Sequence, residues 1–120
     1  MQFLPQLIAA MVMVESGPSS PGGYAGQAAL VGDGGRAFGC LQIHASVIKD
    51  VNRIYGVTYN HNDAFDPAKA VQICRLYLKA YAPPGASPEI CARIWNGGPR
   101  GHMKASTVPY WERVRKKFIR

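Results

Sequence analysis

Seven carboxylates stand in a chain of 120 residues that also carries fourteen lysines and arginines. They are few enough to sort one by one for acid–base chemistry. Asp66 precedes Pro67 and Glu89 follows Ser87-Pro88; both mark helix starts, where a carboxylate caps the chain or complements the helix dipole. Glu112 falls in the first turn of a last helix, and Asp63 lies in a polar loop. Asp50, beside Lys49 and Arg53, reads as half of a surface ion pair. Glu15 and Asp33 are left without such a task. Glu15 extends the apolar row Leu4, Ile8 and Met11 at steps of three and four residues, which puts all four on one helix face. A carboxyl at the end of a buried stripe is partly desolvated, and desolvation favours its protonated form. A carboxylic acid that keeps its proton near neutral pH is what general acid catalysis requires.

Asp33 sits in Gly32-Asp33-Gly34-Gly35, after the apolar pair Leu30-Val31 and before Arg36. In isolation it reads as a turn residue. Paired with a buried acid on a helix end, it becomes the second member of the two-carboxylate layout of glycoside hydrolysis. A nucleophile would stand roughly 5–5.5 Å from the acid, and a base for water roughly 6.5–9.5 Å. Cys40, Cys74 and Cys91 each have an apolar neighbour and read as buried small hydrophobes. A nucleophilic Cys40 with His44 as base is the lesser alternative. There is no C-x-x-C pair and no histidine at zinc-finger spacing, so neither a metal nor a cofactor is expected.

Five helices must position these groups. Helical periodicity runs from Phe3 to Glu15 and stops at Ser16-Gly17-Pro18. A long Gly/Ser/Pro-rich loop follows from Pro18 to Gly35, with a short β-ribbon expected around Ala28 to Val31. A second helical region is read from Phe38 to Tyr55, and a third helix after Asp66-Pro67 that ends before Pro83. A short fourth helix starts at Ser87-Pro88 and is broken at Asn96-Gly97-Gly98-Pro99; the last runs from about Pro109 to Phe118. The expected fold is an α+β, mostly α domain spanning residues 1–120.

The apolar fraction of 48% and charged fraction of 18% exclude a disordered chain, and no apolar run is long enough to span a bilayer. The stretch from Phe3 to Val14 lacks a basic leader and reads as a core helix, not a signal peptide. A net charge of +7 favours polyanionic partners: nucleic acid, anionic lipid or an acidic cell wall. The run Arg113 to Lys117 reads most simply as a solvated helix face.

The residues around both carboxylates resemble the lysozyme-like superfamily. Glu15-Ser16-Gly17 is similar to the end of the catalytic helix in goose-type lysozymes and lytic transglycosylases. The segment from Gly32 to Ile43, Gly-Asp-Gly-Gly-Arg-Ala-Phe-Gly-Cys-Leu-Gln-Ile, is similar to the Gly-Asp…Gly-hydrophobic-Gln-hydrophobic segment of that group. Ala92-Arg93-Ile94-Trp95-Asn96-Gly97-Gly98-Pro99-Arg100-Gly101, then Tyr110-Trp111 and Val114, is similar to invertebrate-type lysozymes. Invertebrate-type lysozymes are rich in disulfides, so three cysteines point to a cousin from a reducing compartment, such as a phage or bacterial version.

The resemblance implies a lysozyme-like fold and cleavage of the N-acetylmuramic acid–N-acetylglucosamine bond of peptidoglycan. It implies Glu15 as general acid and Asp33 as nucleophile or base. Gln42, Asn96 and Tyr110 would contact sugar or orient the acid, although Asn96 also fits a turn and Tyr110 a core position. The expected protein is a monomeric, bacteriolytic enzyme acting at the cell wall or periplasm, with no need of nucleic acid. Two alternatives stay open: a lytic transglycosylase using Glu15 alone, and a non-catalytic cationic domain that binds wall polymer or nucleic acid.

Overall fold

The computed structural model describes residues 1–17 and 29–118. Helix α1 (Leu4–Ser16) starts with Pro5 in its first turn and ends where Gly17 takes φ 88°. A two-stranded antiparallel ribbon follows, β1 (Val31–Gly32) paired with β2 (Ala37–Phe38) through a tight turn at Asp33–Gly35. Four more helices complete the described chain: α2 (Ala45–Tyr55), α3 (Pro67–Tyr81), α4 (Pro88–Gly97) and α5 (Val108–Phe118). The fold is α+β and mostly α. Helix starts follow the local chemistry. Asp66 accepts from the backbone N–H groups of Ala68 and Lys69, and Ser87 accepts from Ile90.

Three expectations need correction. The second helix begins at Ala45, not near Phe38. Residues 37–44 instead form β2 and a turn, because Phe38 and Ile43 exchange backbone hydrogen bonds of 3.1 and 2.9 Å. That pairing uses the groups a helix would have needed. The ribbon also lies later than expected, at 31–32 and 37–38; of the expected span only residues 29–31 are described, and the stretch from Pro18 to Ala28 lies outside the described residues. The fourth helix runs on through Asn96 and Gly97 before Gly98 at φ 92° ends it.

One apolar core joins all five helices. Leu4, Leu7, Ile8 and Met11 of α1 meet Ile73, Cys74 and Leu78 of α3, Cys91 and Ile94 of α4, and Tyr110 and Val114 of α5. Ile48 and Val51 close the side formed by α2. The three cysteines are free and buried, as small hydrophobes would be. Burial pushes the Cys40 and Cys74 thiols up, away from the reactive thiolate, which removes Cys40 as a nucleophile.

The ribbon docks through a glycine. Gly39 takes φ 79°, its N–H donates to Leu30 O at 2.7 Å, and a Cβ there would collide with the Ala64 carbonyl. Gly39→Ala should therefore lower the unfolding free energy by more than about 2 kcal/mol. Gly56→Ala, at φ 65° with open space around it, should cost about 1 kcal/mol. Urea denaturation of both variants checks the ranking.

Candidate active site

Glu15 leaves the last turn of α1 at the end of the row Leu4, Ile8 and Met11, all three buried. Its carboxyl is enclosed by Tyr110 and Arg113 of α5 and by Trp95 of α4. Burial raises its pKa from 4.5 to about 7. Tyr110, Arg113 and Trp95 pull the other way, each favouring the ionised form, but desolvation prevails. The Tyr110 hydroxyl is itself buried and makes no hydrogen bond of ordinary geometry among the described residues. Burial and the neighbouring Glu15 push its pKa well up, so it stays a neutral phenol. The Arg113 guanidinium lies 5.9 Å from the centre of the Tyr110 ring, a cation–π contact that holds the positive charge near Glu15.

Asp33 is built differently. It occupies the turn between β1 and β2 at φ 49°, a left-handed conformation unusual for a residue with a Cβ. Its side chain is 51% exposed, and each oxygen has a basic neighbour: Arg36 at 3.6 Å on Oδ1 and His44 Nε2 at 3.2 Å on Oδ2. The Arg36 side chain also donates from Nε to the Asp33 carbonyl at 3.2 Å.

The two carboxylates line one cavity of about 230 Å³ together with Ala37, Gln42, His44, Trp95 and Asn96. Four of the five residues singled out from the sequence, Glu15, Asp33, Gln42 and Asn96, thus share its wall. Tyr110 stands behind Glu15 and not on the cavity surface. His44 and Trp95 are additional wall residues. Their sequence signal is weak: by spacing His44 is a neighbour of Cys40, four residues away, and Trp95 is one residue of the Ala92–Gly101 motif. The remaining five carboxylates have structural tasks, but Glu112 lies beyond the first turn of α5 and Asp63 in a short 3₁₀ helix, His61–Phe65, where the sequence predicts a first turn and a loop, respectively. Asp50 pairs with Arg53 at 3.3 Å, Asp63 with Lys69 at 3.3 Å, Glu89 with Arg93 at 2.8 Å and Glu112 with Arg115 at 3.0 Å, while Asp66 caps α3.

The backbone around the cavity explains the glycines. Gln42, at φ 51°, lays its amide over Gly32, where a Cβ would meet Oε1, and donates from Nε2 to Gly39 O at 2.8 Å. Gly32 thus makes room for Gln42, whereas Gly34 and Gly35 supply positive φ for the turn. On the other wall, Arg93 donates to Thr107 Oγ1 at 2.9 Å and to Lys104 O at 3.0 Å. Thr107 in turn donates to Gly101 O at 2.7 Å. These bonds tie the segment after α4 beneath Trp95 and Asn96. Gly97 and Gly101 permit the approach, since a Cβ at either would strike Thr107 or the Arg93 carbonyl.

The raised pKa of Glu15 makes a prediction for stability. Between its unfolded value near 4.5 and its folded value near 7, the folded state binds more protons than the unfolded state. Stability then falls as pH rises through that window. Glu15→Gln, which cannot ionise, should gain on wild type between pH 5 and pH 8 by up to about 3 kcal/mol. Thermal unfolding of both proteins at the two pH values measures the difference.

No protein-family model matches the chain. Curated proteins do. It is 42% identical over 57 residues to a lysozyme of Magallana gigas, covering 45% of this chain and 42% of that one. It is 49% identical over 43 residues to a lysozyme of Meretrix lusoria, covering 33% and 35%. It is 39% identical over 51 residues to a lysozyme of Ostrea edulis, covering 40% and 37%. The match spans less than half the length of each of these relatives. The ordered motifs, the α-dominated fold and these three matches together relate the chain to the lysozymes.

Proposed function

We propose that this chain is a glycoside hydrolase that cuts peptidoglycan between N-acetylmuramic acid and N-acetylglucosamine. The observation that carries the reading is a half-buried Glu15, its pKa pushed up to about 7, lining the same polar cavity as Asp33. Two carboxyl groups in unlike environments divide into an acid and a base or nucleophile. Protonated Glu15 gives its proton to the glycosidic oxygen as the bond to the anomeric carbon breaks. Positive charge develops on the ring, and ionised Asp33 either bonds to that carbon or takes a proton from an attacking water. If Asp33 has bonded to the carbon, ionised Glu15 takes a proton from the water that then displaces Asp33; if Asp33 has taken the water's proton, that proton leaves to solvent and Glu15 is reprotonated from solvent before the next turnover. Gln42 and Asn96, each with an amide donor and acceptor, contact the sugar's acetamido and hydroxyl groups. Tyr110 orients the acid from behind.

In this reading residues 1–120 form one catalytic domain that works as a monomer on the wall and uses no cofactor. No helix among the described residues is long and apolar enough to cross a membrane. The net charge of +7 draws the enzyme to the acidic wall, an attraction that salt screens. A purely binding domain would have no use for a desolvated acid beside a polar cavity.

Glu15→Gln should lower the rate of clearing of a bacterial wall suspension by on the order of 10²–10⁴. Wild-type activity should fall as pH rises through about 7, where the acid loses its proton. Near wild-type turnover by Glu15→Gln would refute the assignment. The released fragments decide the chemistry. Reducing ends match hydrolysis, and anhydro ends from a still-active Asp33→Asn variant would mean a transglycosylase that needs Glu15 alone. Added salt, or Lys116→Glu with Lys117→Glu, should slow clearing of whole walls and leave turnover of short neutral oligosaccharides unchanged.

A further inference from the structure

Asp33 is an awkward platform for chemistry. It is half exposed, sits in a turn flanked by glycines, and keeps a left-handed backbone. Of its two basic neighbours, Arg36 is the looser. Its side chain is 74% exposed and its ion pair with Oδ1 spans 3.6 Å. His44 is held much more firmly. It follows Ile43, which is fully buried and bonded in both directions to the Phe38 backbone. It precedes Ala45 at the start of α2, and its own carbonyl accepts from Val47 N at 3.1 Å. The same bridge is braced from the outside by His61. That ring stacks on Phe38 with centroids 3.6 Å apart and places Nε2 2.7 Å from the Ile43 carbonyl. The His44 ring therefore projects into the cavity from a rigid support and meets Asp33 Oδ2 at 3.2 Å.

We infer that His44 is a positioning residue: it donates a hydrogen bond from Nε2 to Asp33 Oδ2 and fixes the aim of that carboxylate in the cavity that Glu15 also lines. The inference rests on the two-carboxylate reading of the site and adds to it the group that makes Asp33 usable. One oxygen is held by a ring that is itself 45% exposed but whose backbone is anchored next to buried Ile43, so the carboxylate has less freedom to swing out into solvent. Reacting groups need their partners placed within a fraction of an ångström, and a misplacement of about 1 Å costs on the order of 10²-fold in rate. Arg36 on Oδ1 supplies charge but little constraint. His61, whose Nε2 faces the Ile43 carbonyl, braces the backbone.

The test uses Asp33→Asn, His44→Phe, His44→Gln and the double variant Asp33→Asn/His44→Phe. Phe keeps the ring and removes the donor; Gln returns an N–H near the position of Nε2. On soluble glycan oligosaccharides, His44→Phe should lower kcat by about 10–100-fold and leave KM nearly unchanged. His44→Gln should recover most of the loss. In the Asp33→Asn background, His44→Phe should cost nothing more, because both act through one group. Independently of activity, the imidazole 15N spectrum should show the neutral His44 ring protonated on Nε2, and Asp33→Asn should release that preference.

Wild-type kcat in His44→Phe, a full loss persisting in the double variant, His44→Gln as slow as His44→Phe, or a His44 tautomer indifferent to Asp33→Asn would each overturn the inference. An inactive Asp33→Asn beside an unaffected His44→Phe overturns it alone. A fully active Asp33→Asn overturns the two-carboxylate reading and this inference with it.

Discussion

The enclosure of one carboxyl group is the constraint on which the rest of this structure depends. Glu15 stands at the last turn of α1, where the helix dipole and the buried row beneath it both disfavour a negative charge. Tyr110, Trp95 and Arg113 close around it from two other helices. They temper the desolvation without cancelling it, and the balance falls near neutral pH. A fully apolar enclosure would push the acid too high to give up its proton in a useful step. An exposed position would leave it ionised and useless as a donor. The packing of α1, α4 and α5 is thus a device for proton affinity as much as for stability.

Asp33 follows the opposite logic. It is exposed, carried on a glycine-flanked turn, and contacted on its two oxygens by Arg36 and His44. The ribbon, anchored by Gly39 against Ala64 and by the Phe38–Ile43 bridge, brings this second carboxylate to the cavity that Glu15 also lines. The glycines of the segment serve backbone geometry: Gly32 makes room for Gln42, and Gly101 makes room for the Arg93 carbonyl.

Much of this was readable from residue types and spacing. The row Leu4, Ile8, Met11 and Glu15 announced both the helix and the desolvated acid, because the 3.6-residue period leaves little choice of face. Sorting seven carboxylates by their local tasks isolated Glu15 and Asp33, since capping and i,i+3 or i,i+4 pairing are local and have local signatures. The failures lay where long-range pairing overrides local pattern. Residues 38–44 have helical apolar spacing, yet Phe38 and Ile43 bond to each other across a tight turn. His44 was overlooked at Asp33 for the same reason: eleven residues apart in sequence, the two meet only because that turn folds back. Tyr110 fits the core and the site equally well from its spacing, and it is buried in the core beside Glu15.

The central claim, that burial keeps a proton on Glu15 near neutral pH, can be measured directly. A 13C NMR titration of the Glu15 side-chain carboxyl in the intact protein should give a midpoint near 7. A midpoint near 4.5, the value of a solvated glutamate, would contradict the account and leave the cavity without its acid.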